Sequence, residues 1–311
     1  MTVAPVYGTF PGIVLESDAV RLVCVPDLGG KVISLRDART GREWLDGRLD
    51  RPPDEVTRPG NPFDADAAYG WDECFPSVAP EAYPAGPWLG EPIEDHGELW
   101  SRAWRVEAAD ERSVTAAVDG ARFPYTFRRS LAVDGTVVRA TYEVENRADE
   151  PFAGLWSAHP LLALEPDARL ELPVGTPLRC THAAGLAGVA TSGAWPSLAN
   201  DDGSVDLSTV GRPDDGVALK LHTAPGSVDR ASVVGVDGAR LTVRWDVERA
   251  PVLGIWLCYG GWPSTGPGLF HVALEPTTGD ADGLTESLAR GGAVTVPPRG
   301  TVAWWASWEI D

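Results

Sequence analysis

The stretch SVTAAVDGARFPYTFRRSLAVDGTVVRATYEVEN, residues 113–146, decides the fold. Apolar and polar residues alternate through it, which is the mark of strands with one buried face. VDG stands at 118–120 and again at 133–135, and Asp-Gly between alternating runs signals a hairpin turn. The stretch predicts three or four strands in succession. The pattern recurs outward in both directions. AVRLVCVPDLGG (19–30) reads as a strand closed by a Gly turn, and KVISLRDARTGREWL (31–45) as strand, turn and second strand. ALKLHTA (218–224), ASVVGVDGARLTVRWDV (231–247), LGIWLCYGGW (253–262) and GTVAWWASWEI (300–310) continue it, and DGLTESLARGG (282–292) alone reads as a helix. Strands without intervening amphipathic helices predict an all-β chain, a large antiparallel β-sandwich or barrel rather than βαβ units.

The composition agrees, with 34 Gly and 27 Pro supplying turns in a chain of 311 residues. No repeat or composition break divides the sequence, so one domain over residues 1–311 is expected. Two stretches read as loops, 46–92 and 181–213; the first is long, acidic and rich in Pro and Gly. Acidic residues outnumber basic ones 45 to 26, a net charge of −19. Such a field repels phosphate backbones and anionic lipid, so neither nucleic acid nor membrane is an expected partner. A neutral small ligand and a monomer or homodimer are expected. The four cysteines form no CxxC pair, and MTVAPVYGTF shows no basic and apolar leader pattern, which predicts a soluble cytoplasmic protein. The chain has only two lysines, Lys31 and Lys220, which reads as compositional bias. Its 13 tryptophans are read as core for the most part, with some free to stack on a sugar.

GxGxxG after a strand, the P-loop, GxSxG and HExxH are all absent, which removes the strongest signals for nucleotide, serine-hydrolase and zinc-protease chemistry. Three local settings remain. His96-Gly97 stands among Glu94, Asp95 and Glu98, and carboxylates around an imidazole favour its charged form. His-Gly-Glu also carries two metal-ligand types, although a lone pair of this kind is a weak metal signal. His159-Pro160 follows the run ending in Trp156. On a strand His159 and Ser157 share one face and Trp156 and Ala158 the other, with Pro160 expected to end the pairing. Glu275 lies near the end of FHVALEPTTG, on the same strand face as His271. His182, His222 and His271 are read as structural or surface residues.

The order and spacing of His96-Gly97, His159-Pro160 and Glu275-Pro276, with GGKVISLRDARTGREWL near the start and TVAWWASWEI at the end, resemble the aldose 1-epimerase (galactose mutarotase-like) family over nearly the whole chain. The resemblance implies a β-supersandwich and a reaction that interconverts the α and β anomers of a free sugar, with no metal and no cofactor. It implies Glu275 as the base for the C1 hydroxyl, His159 as the acid for the ring oxygen and His96 as a substrate-holding residue. The family's Asn-Arg pair, which grips sugar hydroxyls, has no counterpart here. Its place falls in YGWDECFP (69–76). Asp72 or Glu73 would accept hydroxyl hydrogen bonds instead, Trp71, Trp100 and Trp156 would lie beside the sugar, and Arg102 would be a nearby cation. Alternatives are a non-catalytic sugar-binding protein on the same fold and a sugar-phosphate epimerase, for which only Arg102 and Arg105 stand near the motifs. A glycosidase pairing Asp72 or Glu73 with Glu275 is a further one.

Overall fold

A computed structural model describes residues 5–55 and 58–311. The first four residues of the N-terminal stretch and Val56 and Thr57 of the acidic loop lie outside them. Two large antiparallel sheets dominate. The smaller has eight strands, in the order Arg169–Glu171, Arg230–Val234, Arg240–Trp245, Thr301–Ile310, Val137–Asn146, Tyr125–Asp134, Ser113–Asp119, Arg105–Ala109. The stretch 113–146 contributes three of these as consecutive neighbours, and Gly135, at φ 53°, turns the second hairpin where VDG predicts it.

The larger sheet has twelve strands. Its central run is Val217–Thr223, Val252–Tyr259, Phe270–Thr277, Ser157–Leu162, Trp71–Cys74 and Lys31–Asp37. The main core lies between the two sheets and takes residues from both, from Leu15 through Tyr142 to Ile310. The only α-helix among the described residues is Leu284–Ala289, inside the segment read as helical. No helix among them is long and apolar enough to cross a membrane.

Three local expectations fail. Residues 46–92 contain a central strand, Trp71–Cys74, and residues 181–213 carry the short strands Ser192–Ala194, Ser197–Asn200 and Gly203–Asp206 of the same sheet. Pro160 does not end its strand. Ser157–Leu162 runs through it, pairing His159 with Asp72 and Pro160 with Trp71, while pairing to Phe270–Thr277 holds at Ser157, Leu161 and Leu162. The second strand of KVISLRDARTGREWL is reduced to isolated bridges at Glu43 and Leu45.

Candidate active site

Alternation along the central strands decides which side chains leave the sandwich core. Leu219 and Leu221 join the core, whereas Lys220 lines a cavity on the opposite face of the sheet. Val272 and Leu274 join the core, whereas His271 lines the cavity; Ala158 and Leu162 join the core, whereas His159 and Leu161 line it. The cavity holds about 300 Å³, within the size class of small-molecule sites. Phe63, Trp256 and Trp262 give it apolar walls, and Asp95, His96, His182 and Asp282 complete its polar lining. With His222 beside Asp282, at 3.4 Å, all five histidines of the chain gather here.

The His-Gly pair has a local cause. His96 adopts φ 58° and Gly97 φ 75°. A Cβ on Gly97 would lie 2.1 Å from the Phe75 carbonyl oxygen, so only glycine fits. The His96 backbone N–H donates to Val78 O at 2.7 Å, which fixes the loop. Its ring stacks on Phe63 with centroids 3.7 Å apart, and Nδ1 meets Asp95 Oδ1 at 2.8 Å. The His159 ring stands edge-on to it, with centroids 5.1 Å apart.

Glu275 lies beneath this cavity and is 1% exposed. Its Oε1 is 4.0 Å from His159 Nε2 and has no hydrogen-bond partner among the described residues, and its Oε2 accepts from Lys220 Nζ. Lys220 and Glu275 sit on strands separated by Val252–Tyr259, and the residue of that strand opposite Glu275 is Gly254. A Cβ on Gly254 would come within 3.1 Å of Glu275 Oε2, so the missing side chain leaves room for the carboxylate and ammonium to meet. Lys220 also lies 3.7 Å from Asp282 Oδ1.

These surroundings set the charges. Burial, reinforced by the neighbouring His96 and Lys220, pushes His159 well below the ordinary histidine range, so its imidazole is neutral at pH 7. The imidazolium that a general-acid His159 requires is therefore not its resting form. Burial, with Arg48 nearby, takes His271 down to about 3. Burial disfavours the charge on Lys220, but Asp282 and Glu275 outweigh it and hold the ammonium protonated. Burial likewise opposes the Asp282 carboxylate, and Lys220 and His222 overcome it, keeping the group below the usual range.

The remaining expected site residues divide. Trp71 points into the core against Trp308, with centroids 4.0 Å apart, and cannot stack on a ligand. Trp156 also faces the core, where its Nε1 donates to Glu73 Oε2 at 2.9 Å. Glu73 is buried between the sheets, with Arg129 Nη1 at 3.0 Å and the Tyr142 hydroxyl at 3.1 Å. The alternation that brings His159 to the cavity takes these three side chains away from it. Asp72 pairs across from His159 but is engaged by Lys31, which also donates to Tyr69 O at 2.8 Å. Arg102 opens onto a separate hollow with Phe10, Asp27 and Arg58. Trp100 packs edge-on against Phe63 at 5.0 Å in a small cluster that also includes Leu161 and Ala273.

Glu98 turns away from His96 and accepts from the Tyr125 hydroxyl at 3.1 Å. Among the described residues no three His, Cys, Asp or Glu side chains converge as a metal site. Sequence reasoning missed Phe63, His182, Lys220, Trp256, Trp262, His271 and Asp282. For Lys220 a usable signal was its rarity: both lysines of the chain are buried and paired with buried or half-buried carboxylates.

No family model matches the sequence, and no curated protein matches it. Solved structures do match by shape. A Synechocystis sp. PCC 6803 protein superposes with a TM-score of 0.69 at 17% identity, covering 100% of this chain and 99% of its own. A structure described as a galactose mutarotase related enzyme, from Lactobacillus acidophilus, gives 0.64 at 18%, covering 96% of this chain and 97% of its own. A candidate aldose 1-epimerase from Escherichia coli gives 0.69 at 14%, covering 97% and 99%. Likeness at this level of identity is one of architecture, and by architecture the chain is a protein of the galactose mutarotase-like fold.

Proposed function

We propose that the protein is an aldose 1-epimerase that interconverts the α and β anomers of a free sugar. The observation that carries this reading is the approach of Glu275 Oε1 to His159 Nε2, 4.0 Å, under a cavity of monosaccharide size. Among the described residues neither Glu275 Oε1 nor His159 Nδ1 has a partner, so both have capacity for a ligand hydroxyl.

Anomer exchange needs a base at the C1 hydroxyl and an acid at the ring oxygen. Glu275 takes the hydroxyl proton as the bond from C1 to the ring oxygen breaks. The electron pair of that bond goes to the ring oxygen, which gains a proton. Rotation about C1–C2 of the open aldehyde and closure from the other face give the second anomer. The ring-oxygen proton is assigned to His96, whose Nδ1 is backed by Asp95 and whose other nitrogen is left for substrate. His159, neutral at rest, serves as a hydrogen-bonding partner of the anomeric oxygen. Glu275 is buried, so the sugar meets Oε1 after a rotation of His159 or Lys220.

The test follows α-to-β conversion of several aldoses by NMR. At least one sugar is expected to equilibrate faster than its spontaneous rate, and Glu275→Gln to lower that acceleration by about 10²-fold or more. An unimpaired Gln variant, or no accelerated sugar, overturns the reading. The burial of Glu275 behind Lys220 favours a second reading, a sugar-binding protein without turnover, which gives saturable binding and an unchanged spontaneous rate.

A further inference from the structure

We infer that Lys220 and Asp282 form the hydroxyl-recognition pair of this cavity, and that the ligand is an uncharged sugar presenting one hydroxyl to both side chains. The inference rests on the sugar reading of the site given above. Both residues line the cavity. Lys220 Nζ has three donors and spends one on Glu275 Oε2. Asp282 Oδ1 lies 3.7 Å from Nζ and 3.4 Å from His222 Nε2, close enough for attraction but beyond a well-formed hydrogen bond. The Asp282 side chain is 33% exposed, in contrast to the covered Glu275, so it is the carboxylate of this cluster that a ligand reaches first.

The pair is rigidly mounted. The Asp282 carbonyl accepts from Val78 N at 3.0 Å, Ala79 N at 2.8 Å and the Ser77 hydroxyl at 3.2 Å. Lys220 comes from the middle of a central strand. With both groups charged at working pH, the site offers a strong acceptor beside a strong donor. A hydroxyl satisfies both, donating to the carboxylate and accepting from the ammonium. A methylene satisfies neither, and a phosphate or carboxylate only accepts and so opposes Asp282. The cationic grip that the missing Asn-Arg pair would provide is thus supplied from a different strand.

The experiment titrates the full-length protein with glucose, galactose and their 2-, 3-, 4- and 6-deoxy analogues, by calorimetry or saturation-transfer NMR. One deoxy analogue is expected to bind about tenfold to a hundredfold more weakly than its parent, the range of one charge-assisted hydrogen bond. Asp282→Asn is expected to weaken the parent sugar by about tenfold or more. It should also erase that discrimination, leaving parent and deoxy sugar within about twofold. Lys220→Met should act at the same hydroxyl. The isosteric Asp282→Asn carries the test alone if Lys220→Met does not fold. An Asp282→Asn protein that keeps the wild-type deoxy profile overturns the inference, whether or not the wild type accelerates anomer exchange. Wild-type binding with the expected profile but no acceleration upholds the pair and overturns the epimerase reading. Absence of any sugar binding overturns both.

Discussion

At the scale of single residues, burial keeps two imidazoles of the site, those of His159 and His271, neutral. His271 shows the consequence for stability. Its Nε2 accepts from the Trp256 indole N–H at 3.2 Å, and burial holds its pKa near 3 against an unfolded value of 6.5. The folded state therefore refuses a proton that the unfolded chain takes up. The stabilising contribution is complete above the unfolded value and is lost as pH falls from 6.5 toward 3. At about pH 5 the loss from this one group is about 2 kcal/mol. His159 acts in the same direction. Urea unfolding at about pH 7.5 and about pH 5 checks this, with His271→Gln as reference. The wild type is expected to lose about 2 kcal/mol more than the variant on acidification. Equal losses would mean that His271 is protonated in the folded protein.

At the scale of elements, the two sheets are joined through a buried ion pair as well as through apolar packing. Glu73 comes from Trp71–Cys74 and Arg129 from Tyr125–Asp134, one strand of each sheet. Burial pushes Glu73 up to about 7, while Arg129, Trp156 and Tyr142 pull it back. Removing one partner leaves the other charge buried and unpaired, so Glu73→Leu or Arg129→Met alone is expected to cost about 3–5 kcal/mol. The double variant Glu73→Leu/Arg129→Met should cost no more than either single change. A denaturation cycle reads the difference, and additive costs would show that the two side chains are uncoupled. The same strand marks where the sequence was legible and where it was not. Residues 113–146 declare themselves because each strand has one apolar face and a marked turn. WDEC does not: it is buried on both faces, with Trp71 and Glu73 in the sandwich and Asp72 toward the site, so charged residues stand where a strand pattern would be sought. His96, His159 and Glu275 could be singled out because each has a distinctive chain neighbour. His271 and Asp282 could not, because His271 meets Trp256 across neighbouring strands and Asp282 meets Lys220 from the loop after Phe270–Thr277.

At the scale of the whole molecule, the net charge of −19 bears on which sugar the proposed reaction would take. Lys220, the lysine that lines the cavity, is already engaged with Glu275, and Asp95 and Asp282 add negative charge to its wall. A neutral aldose feels no net force from this field. A sugar phosphate is repelled along its approach and again inside. Screening acts on the second case alone, because the Debye length shrinks from about 30 Å at 0.01 M salt to about 8 Å at 0.15 M. Between those salt concentrations the rate with a neutral aldose is expected to change by less than about twofold. Any activity on the matching 6-phosphate should be weak at low salt and should rise as salt is added. Parallel NMR assays of the two sugars over that range give the comparison. A phosphorylated sugar that is preferred at low salt, and that loses its advantage as salt is added, would show that the cavity presents a net positive face.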